Sequence, residues 1–139
     1  MIADSRTSVA FTGHRTYRGA AADALRRTVG ELYARGFRNF LSGMAVGFDL
    51  AAAEAVLELR ERAPGVRLVA AVPFRGQEMR FSPADRERFR RVLAEADSVE
   101  VLAPAYHRGC YAVRNDFLED NARVLVAWYD GSHGGTRYT

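Results

Sequence analysis

Five short apolar runs alternate with longer amphipathic segments along this chain, and that alternation leaves few architectures open. The runs span residues 8–13, 39–41, 66–72, 99–102 and 123–129. Each is too short for a buried helix, and residues 66–72 are nearly all apolar, as in a strand covered on both faces. Between them, residues 20–35 place Leu25, Val29, Leu32 and Tyr33 on one helical face, with Gly36 as the stop. Residues 48–62 form an alanine-rich helix ended by Pro64-Gly65. Ser82-Pro83 starts a third helix, with serine as N-cap, and Phe89, Val92, Leu93 and Ala96 follow at helical spacing. Residues 111–122 are the fourth.

Strand–helix alternation of this kind builds a mostly parallel sheet with helices on both faces. Right-handed crossovers predict a Rossmann-like, doubly wound, five-stranded sheet of order 3-2-1-4-5. Its winding then reverses between strands one and four, and ligands of open α/β sheets bind at such a reversal, outside the carboxyl ends of the strands.

The 139 residues make one domain, 1–139. Hydrophobic residues are 48% and charged residues 27%, which excludes disorder over most of the length. No apolar run approaches the roughly 20 residues of a membrane span, so no membrane partner is expected. The N-terminus lacks a basic-then-apolar signal, so the cytoplasm is the default location. The single cysteine, Cys110, excludes an internal disulfide framework and a CxxC metal site, and reads as a small packing residue. All 20 basic residues are arginine, and the net charge is +3. Arg86, Arg88, Arg90 and Arg91 lie opposite the buried face set by Phe89, Val92 and Leu93, so they read as a solvated face rather than a nucleic-acid footprint.

The strand ends carry the chemistry. Strand one ends in Thr12-Gly13-His14-Arg15, and strand two in Ser42-Gly43-Met44-Ala45-Val46-Gly47-Phe48-Asp49. The later ends bring Pro73 to Gln77, then His107 and Arg108, then His133-Gly134-Gly135-Thr136. Glycine lets a backbone approach an anion closely, and a helix N-terminus presents N–H groups and positive potential. The turn through Gly43 and Gly47 opens directly into the second helix, as a phosphate cradle does. A tight turn needing glycine for backbone reasons alone is the other reading of that loop. A second glycine loop at Gly134-Gly135-Thr136 favours the ligand. There is no GxGxxG after strand one, and without lysine no GxxxxGK[ST], so a standard dehydrogenase or P-loop NTPase is disfavoured.

The segment Ser42-Gly43-Met44-Ala45-Val46-Gly47-Phe48-Asp49-Leu50-Ala51-Ala52 resembles the SGxAxGxDxxA motif of the Smf/DprA–LOG (SLOG) superfamily, a Rossmann-like group binding nucleotides or nucleotide-derived ligands. Phe11 to Arg15, the helix around Tyr111–Asn115, Trp128 to Gly131 and Gly134-Gly135-Thr136 resemble its YpsA-like branch, whose function is unknown. The resemblance implies ligand contacts from Thr12, Gly13, His14 and Arg15, from Ser42, Gly43, Met44, Gly47 and Asp49, from Arg114 and Asn115, and from Gly134, Gly135 and Thr136. Arg114 is read as a phosphate clamp, with a surface ion pair to Asp116 or Glu119 as the alternative. Asp49 either accepts from a ribose hydroxyl or stabilises the positive end of its helix.

Two departures shape the expected function. The phosphoribohydrolases of the superfamily carry a Glu three residues after the loop threonine, and that position here is Thr139. Binding of a nucleotide-derived phosphate ligand, as in a sensor, is therefore favoured over hydrolysis of an N-glycosidic bond, and DprA-like single-stranded DNA binding is the third reading. The resemblance also places a further helix where the chain stops, so the domain is expected to lack it. No metal or fixed cofactor is called for beyond that ligand. A homodimer is implied by the resemblance alone.

Overall fold

The computed structural model describes residues 5–13, 22–128 and 135–138; Trp128 and the last four are described through their backbone only. In chain order the elements are β1 (Ser8–Gly13), α1 (Ala22–Ala34), β2 (Asn39–Ser42), α2 (Phe48–Arg60), β3 (Arg67–Val72), α3 (Pro83–Glu95), β4 (Ser98–Val101), α4 (Cys110–Asp120), β5 (Val124–Trp128) and β6 (Gly135–Tyr138). A 3-10 turn at Gln77–Arg80 separates β3 from α3. The helix boundaries follow local chemistry. Ser82 caps α3, its side chain accepting from the Asp85 N–H at 3.2 Å ahead of Pro83. α1 ends in a Schellman turn: Gly36, at φ 101°, donates to Tyr33 O, and Phe37 donates to Leu32 O.

The sheet has the order β4-β3-β2-β1-β5-β6, with β1 to β5 parallel and β6 antiparallel to β5. This is the expected doubly wound α/β sheet, with one strand placed differently. The third, second and first strands run side by side as anticipated, but β4 extends that series outward beside β3, and β5 takes the place next to β1. Burial explains the exchange. β5 begins Val124-Leu125-Val126-Ala127, all buried, and suits an interior strand. β4 reads Ser98-Val99-Glu100-Val101, half-exposed along its length, and suits an edge. Winding therefore reverses between β1 and β5. The sheet also gains β6 through Gly135 and Thr136, residues expected in a loop.

One sheet face packs α1, α2 and α3 around Val9, Phe11, Phe40, Leu68 and Val126. The other packs α4 against Ala10, Leu41, Val69 and Leu125 through Leu118. Cys110 is buried with Phe74 and Ala103, as a packing residue should be. No described helix is long and apolar enough to cross a membrane.

Candidate functional site

The carboxyl ends of β1 and β2, the start of α2 and the middle of α4 meet at Gly43. A Cβ built on Gly43 would stand 2.9 Å from Arg114 Cδ and 2.9 Å from Asp49 Oδ2. Real Cβ atoms do not tolerate such approaches, so glycine is required here by its neighbours. Arg114 is 9% exposed, and its Nη1 donates to Gly43 O at 3.1 Å. Its Nε and Nη2 both donate to Asn115 Oδ1, at 3.2 and 3.1 Å. The guanidinium also lies 5.4 Å from the Tyr111 ring centroid. These contacts fix the planar fork through neutral oxygens.

The loop after β2 is braced from within. Ser42 Oγ donates to Asp49 O at 2.9 Å and accepts from the Met44 N–H at 3.2 Å. That second bond supports Met44 at φ 63°, a left-handed conformation that a side chain rarely adopts. Met44 itself is fully buried. Asp49, in the first turn of α2, is only 3% exposed, and its Oδ2 accepts from the Ala45 N–H at 3.3 Å. Its Oδ1 is buried without a hydrogen-bond partner among the described residues. Burial raises the Asp49 carboxyl from 3.8 to about 6, against the opposing pull of Arg114 and of the Ala45 N–H. Asp49 thus sits beneath the loop as a brace. Among the described residues, the N–H groups of Val46 and Gly47 have no hydrogen-bond partner.

Gly13 answers a packing demand. A Cβ there would stand 2.6 Å from Phe48 Cγ and Cδ2, so its absence lets the start of α2 close on the end of β1. Thr12, half-buried, pairs with Ala127, and Ala127 with Gly135. At roughly 4.8 Å per strand, Gly135 lies about 10 Å from Thr12 along the same sheet edge. His14, Arg15, Gly134 and Thr139 lie outside the described residues. His107 is exposed beyond β4, three strands from β1, so the changed strand order draws it away from the winding reversal.

The loop's outer side forms one wall of a cleft of about 290 Å³. The cleft is lined by Ala45, Val46, Gln77, Arg80, Tyr111 and Arg114, among others. Sequence reasoning listed Gln77 only as a strand end and did not single out Arg80. The available signal was Gly76, whose left-handed turn at φ 88° leads Gln77 inward. The arginines of α3 are not simply a solvated face: Arg86 is part-buried, its Nη2 donating to Phe81 O at 3.3 Å, and Arg88 makes a two-pronged pair with Glu54 at 2.7 and 3.0 Å and reaches Asp85 at 3.1 Å. Arg90 and Arg91 pair with Glu78 and Glu87 at 3.7 Å each. No group of three His, Cys, Asp or Glu able to hold a metal occurs among the described residues.

Comparison with known proteins agrees with the motif resemblance. A UPF0398 protein of Bacillus pumilus is 30% identical over 114 residues, covering 81% of this chain and 61% of that protein. A UPF0398 protein of Shouchella clausii is 37% identical over 94 residues, covering 66% of this chain and 50% of that one. The uncharacterized SPbeta prophage-derived protein YoqJ of Bacillus subtilis is 31% identical over 111 residues, covering 71% of this chain and 65% of that one. The chain thus spans about half to two-thirds of the length of these relatives. The X-ray structure of DNA processing protein A (DprA) from Streptococcus pneumoniae superposes with a TM-score of 0.59 over 88% of this chain and 41% of that one. At 19% identity, this likeness is one of fold. The YspA SLOG family profile matches residues 10–139, and the chain belongs to that family.

Proposed function

We propose that this chain binds a phosphate-bearing, nucleotide-derived ligand at the carboxyl edge of its sheet, on the loop of residues 43–47 and Arg114. The observation that carries this reading is the setting of Arg114. It is a buried arginine whose fork is locked by a carbonyl and an amide, beside the N-terminus of α2. These oxygens hold the guanidinium in a fixed orientation beside the loop, and the start of a helix adds positive potential at the same point. Thr12, Gly13, Ser42, Gly43, Met44 and Gly47 supply or shape the cradle, with Asn115 positioning Arg114. The family resemblance adds His14, Arg15, Gly134, Gly135 and Thr136 as further contacts, and Asp49 supports the loop from below.

Binding without turnover is the form of this reading that the carboxylates support. Asp49 has a proton affinity suited to acid catalysis, but it lies under Gly43 and holds the loop. The test is a thermal-shift series with sulfate, AMP, ADP-ribose, NAD and a single-stranded oligonucleotide, followed by chromatography of the nucleotides after long incubation. Stabilisation by the small phosphates, lost in Arg114→Met and with nucleotides recovered intact, is the expected result. No response to any of the small anions overturns the reading. New products in the chromatogram select the hydrolase, and a response to the oligonucleotide alone selects DNA.

A further inference from the structure

The cleft beside the loop contains an amide that the fold does not use. Gln77 is 4% exposed, and its Oε1 is buried without a hydrogen-bond partner among the described residues. Leaving a buried acceptor unpaired is costly. A leucine or methionine would fill the same place without that cost. The backbone is arranged to bring the side chain inward: Gly76 turns left-handed at the end of β3, and the Gln77 N–H is held by Phe74 O. What the amide faces is the cleft, whose lining includes Tyr111, Arg80 and Arg114 and no carboxylate. At about 290 Å³ it stands at the low end of small-molecule sites, roughly 300–1,000 Å³, which suits a nucleoside better than a dinucleotide.

Ala45 and Val46 belong both to the proposed phosphate loop and to the wall of this cleft, and Arg114 borders both. A ligand with its phosphate on the loop can therefore extend, through its sugar, into the cleft that Gln77 lines. A glutamine amide presents one acceptor and one donor side by side, and the partner that matches both is a nucleobase edge with an amino or imino hydrogen next to an acceptor. Tyr111 supplies an aromatic surface at the same wall, and stacking on such a surface is tolerant of base identity. We infer that the Gln77 cleft is a nucleobase subsite, so that the ligand is a nucleoside monophosphate read at both ends. This inference rests on the phosphate reading of the loop and adds the class of group attached to that phosphate.

The test compares AMP, CMP, GMP and UMP with ribose 5-phosphate by calorimetric titration of the full chain and of Gln77→Leu. The best nucleotide should bind the native chain at least tenfold more tightly than ribose 5-phosphate, and Gln77→Leu should remove that gap while leaving ribose 5-phosphate unchanged. A second measurement needs no variant: in saturation-transfer NMR on the native chain, the base protons of the best nucleotide should receive saturation at least as strongly as its ribose protons. Equal affinity for ribose 5-phosphate and all four nucleotides, a gap that survives Gln77→Leu, or base protons left unsaturated would each overturn the subsite while the phosphate reading stands. Failure of every compound, ribose 5-phosphate included, overturns both.

Discussion

Arg114 and Asp49 converge on one point in space, the place where Gly43 has no Cβ. One comes from α4 and the other from the first turn of α2, so a cation and a carboxylate from opposite faces of the sheet share a single glycine.

Gly43→Ala tests that relationship directly. Its methyl must displace the Arg114 stem or the Asp49 carboxylate, and overpacking of this kind costs on the order of 1–3 kcal/mol. Chemical denaturation should show that loss, and sulfate should no longer raise the melting temperature. A variant as stable and as responsive as the native chain would show that the contact is not tight in solution.

Arg114→Lys retains the charge and loses the fork. Lysine cannot span Gly43 O and Asn115 Oδ1 together, so the ammonium has no fixed seat. Sulfate affinity should fall at least tenfold. Asn115→Ala should give a smaller fall, because the bond to Gly43 O remains.

Asp49 makes stability depend on pH in an unusual direction for a carboxylate. Its folded value, about 6, lies above the unfolded value of 3.8, so the native chain holds a proton that the unfolded chain has released between those pH values. The contribution of protonated Asp49 is complete below about pH 4 and is lost as pH rises through about 6. Asp49→Asn should therefore gain on the native chain across that window, by up to about 3 kcal/mol. Denaturant titrations of both proteins at several pH values measure the difference, and a constant difference would show that the carboxyl is not shifted.

The same proton should govern anion binding. Sulfate stays doubly charged from pH 5 to 8, so any change in its affinity comes from the protein. Neutralising Asp49 removes one negative charge beside Arg114, and sulfate should bind more tightly as pH falls through about 6. In Asp49→Asn that pH dependence should be reduced.

Gly13→Ala addresses packing rather than charge. Its methyl would enter the Phe48 ring, which is buried and sits edge-on to Phe11 with centroids 6.5 Å apart. A loss on the order of 1–3 kcal/mol is expected in denaturant titration. Unchanged stability would mean that α2 can withdraw from β1 without cost.

The elements were legible because their signals are local. The serine cap before Pro83 and the glycine after α1 need only a few neighbouring residues to act, and both do what their sequence says. Strand order is a global choice, and a rule favouring the simplest reversal misplaced β4. The clue was Glu100 in an otherwise short apolar run, since an acidic residue in so brief a strand belongs at an edge. At the candidate site, the resemblance named Ser42, Gly43, Asp49 and Arg114, which the fold brings together, but the burial of Asp49 was not legible. An acid in the first turn of a helix normally faces water, and only the tertiary contact of α4 with the loop encloses this one. Gln77 was passed over because a glutamine after a glycine carries no periodic signal. Its isolation becomes visible only once its surroundings are known.

The bond from Arg114 to Gly43 O has a mechanical meaning. α2 and α4 lie on opposite sides of the sheet, and this bond ties α4 to the loop that opens α2, like a rivet through two plates. An occupant drawing on Arg114 tightens both layers at once, so protection from hydrogen exchange should spread into α2 and α4 together, in parts of the molecule that never touch the ligand.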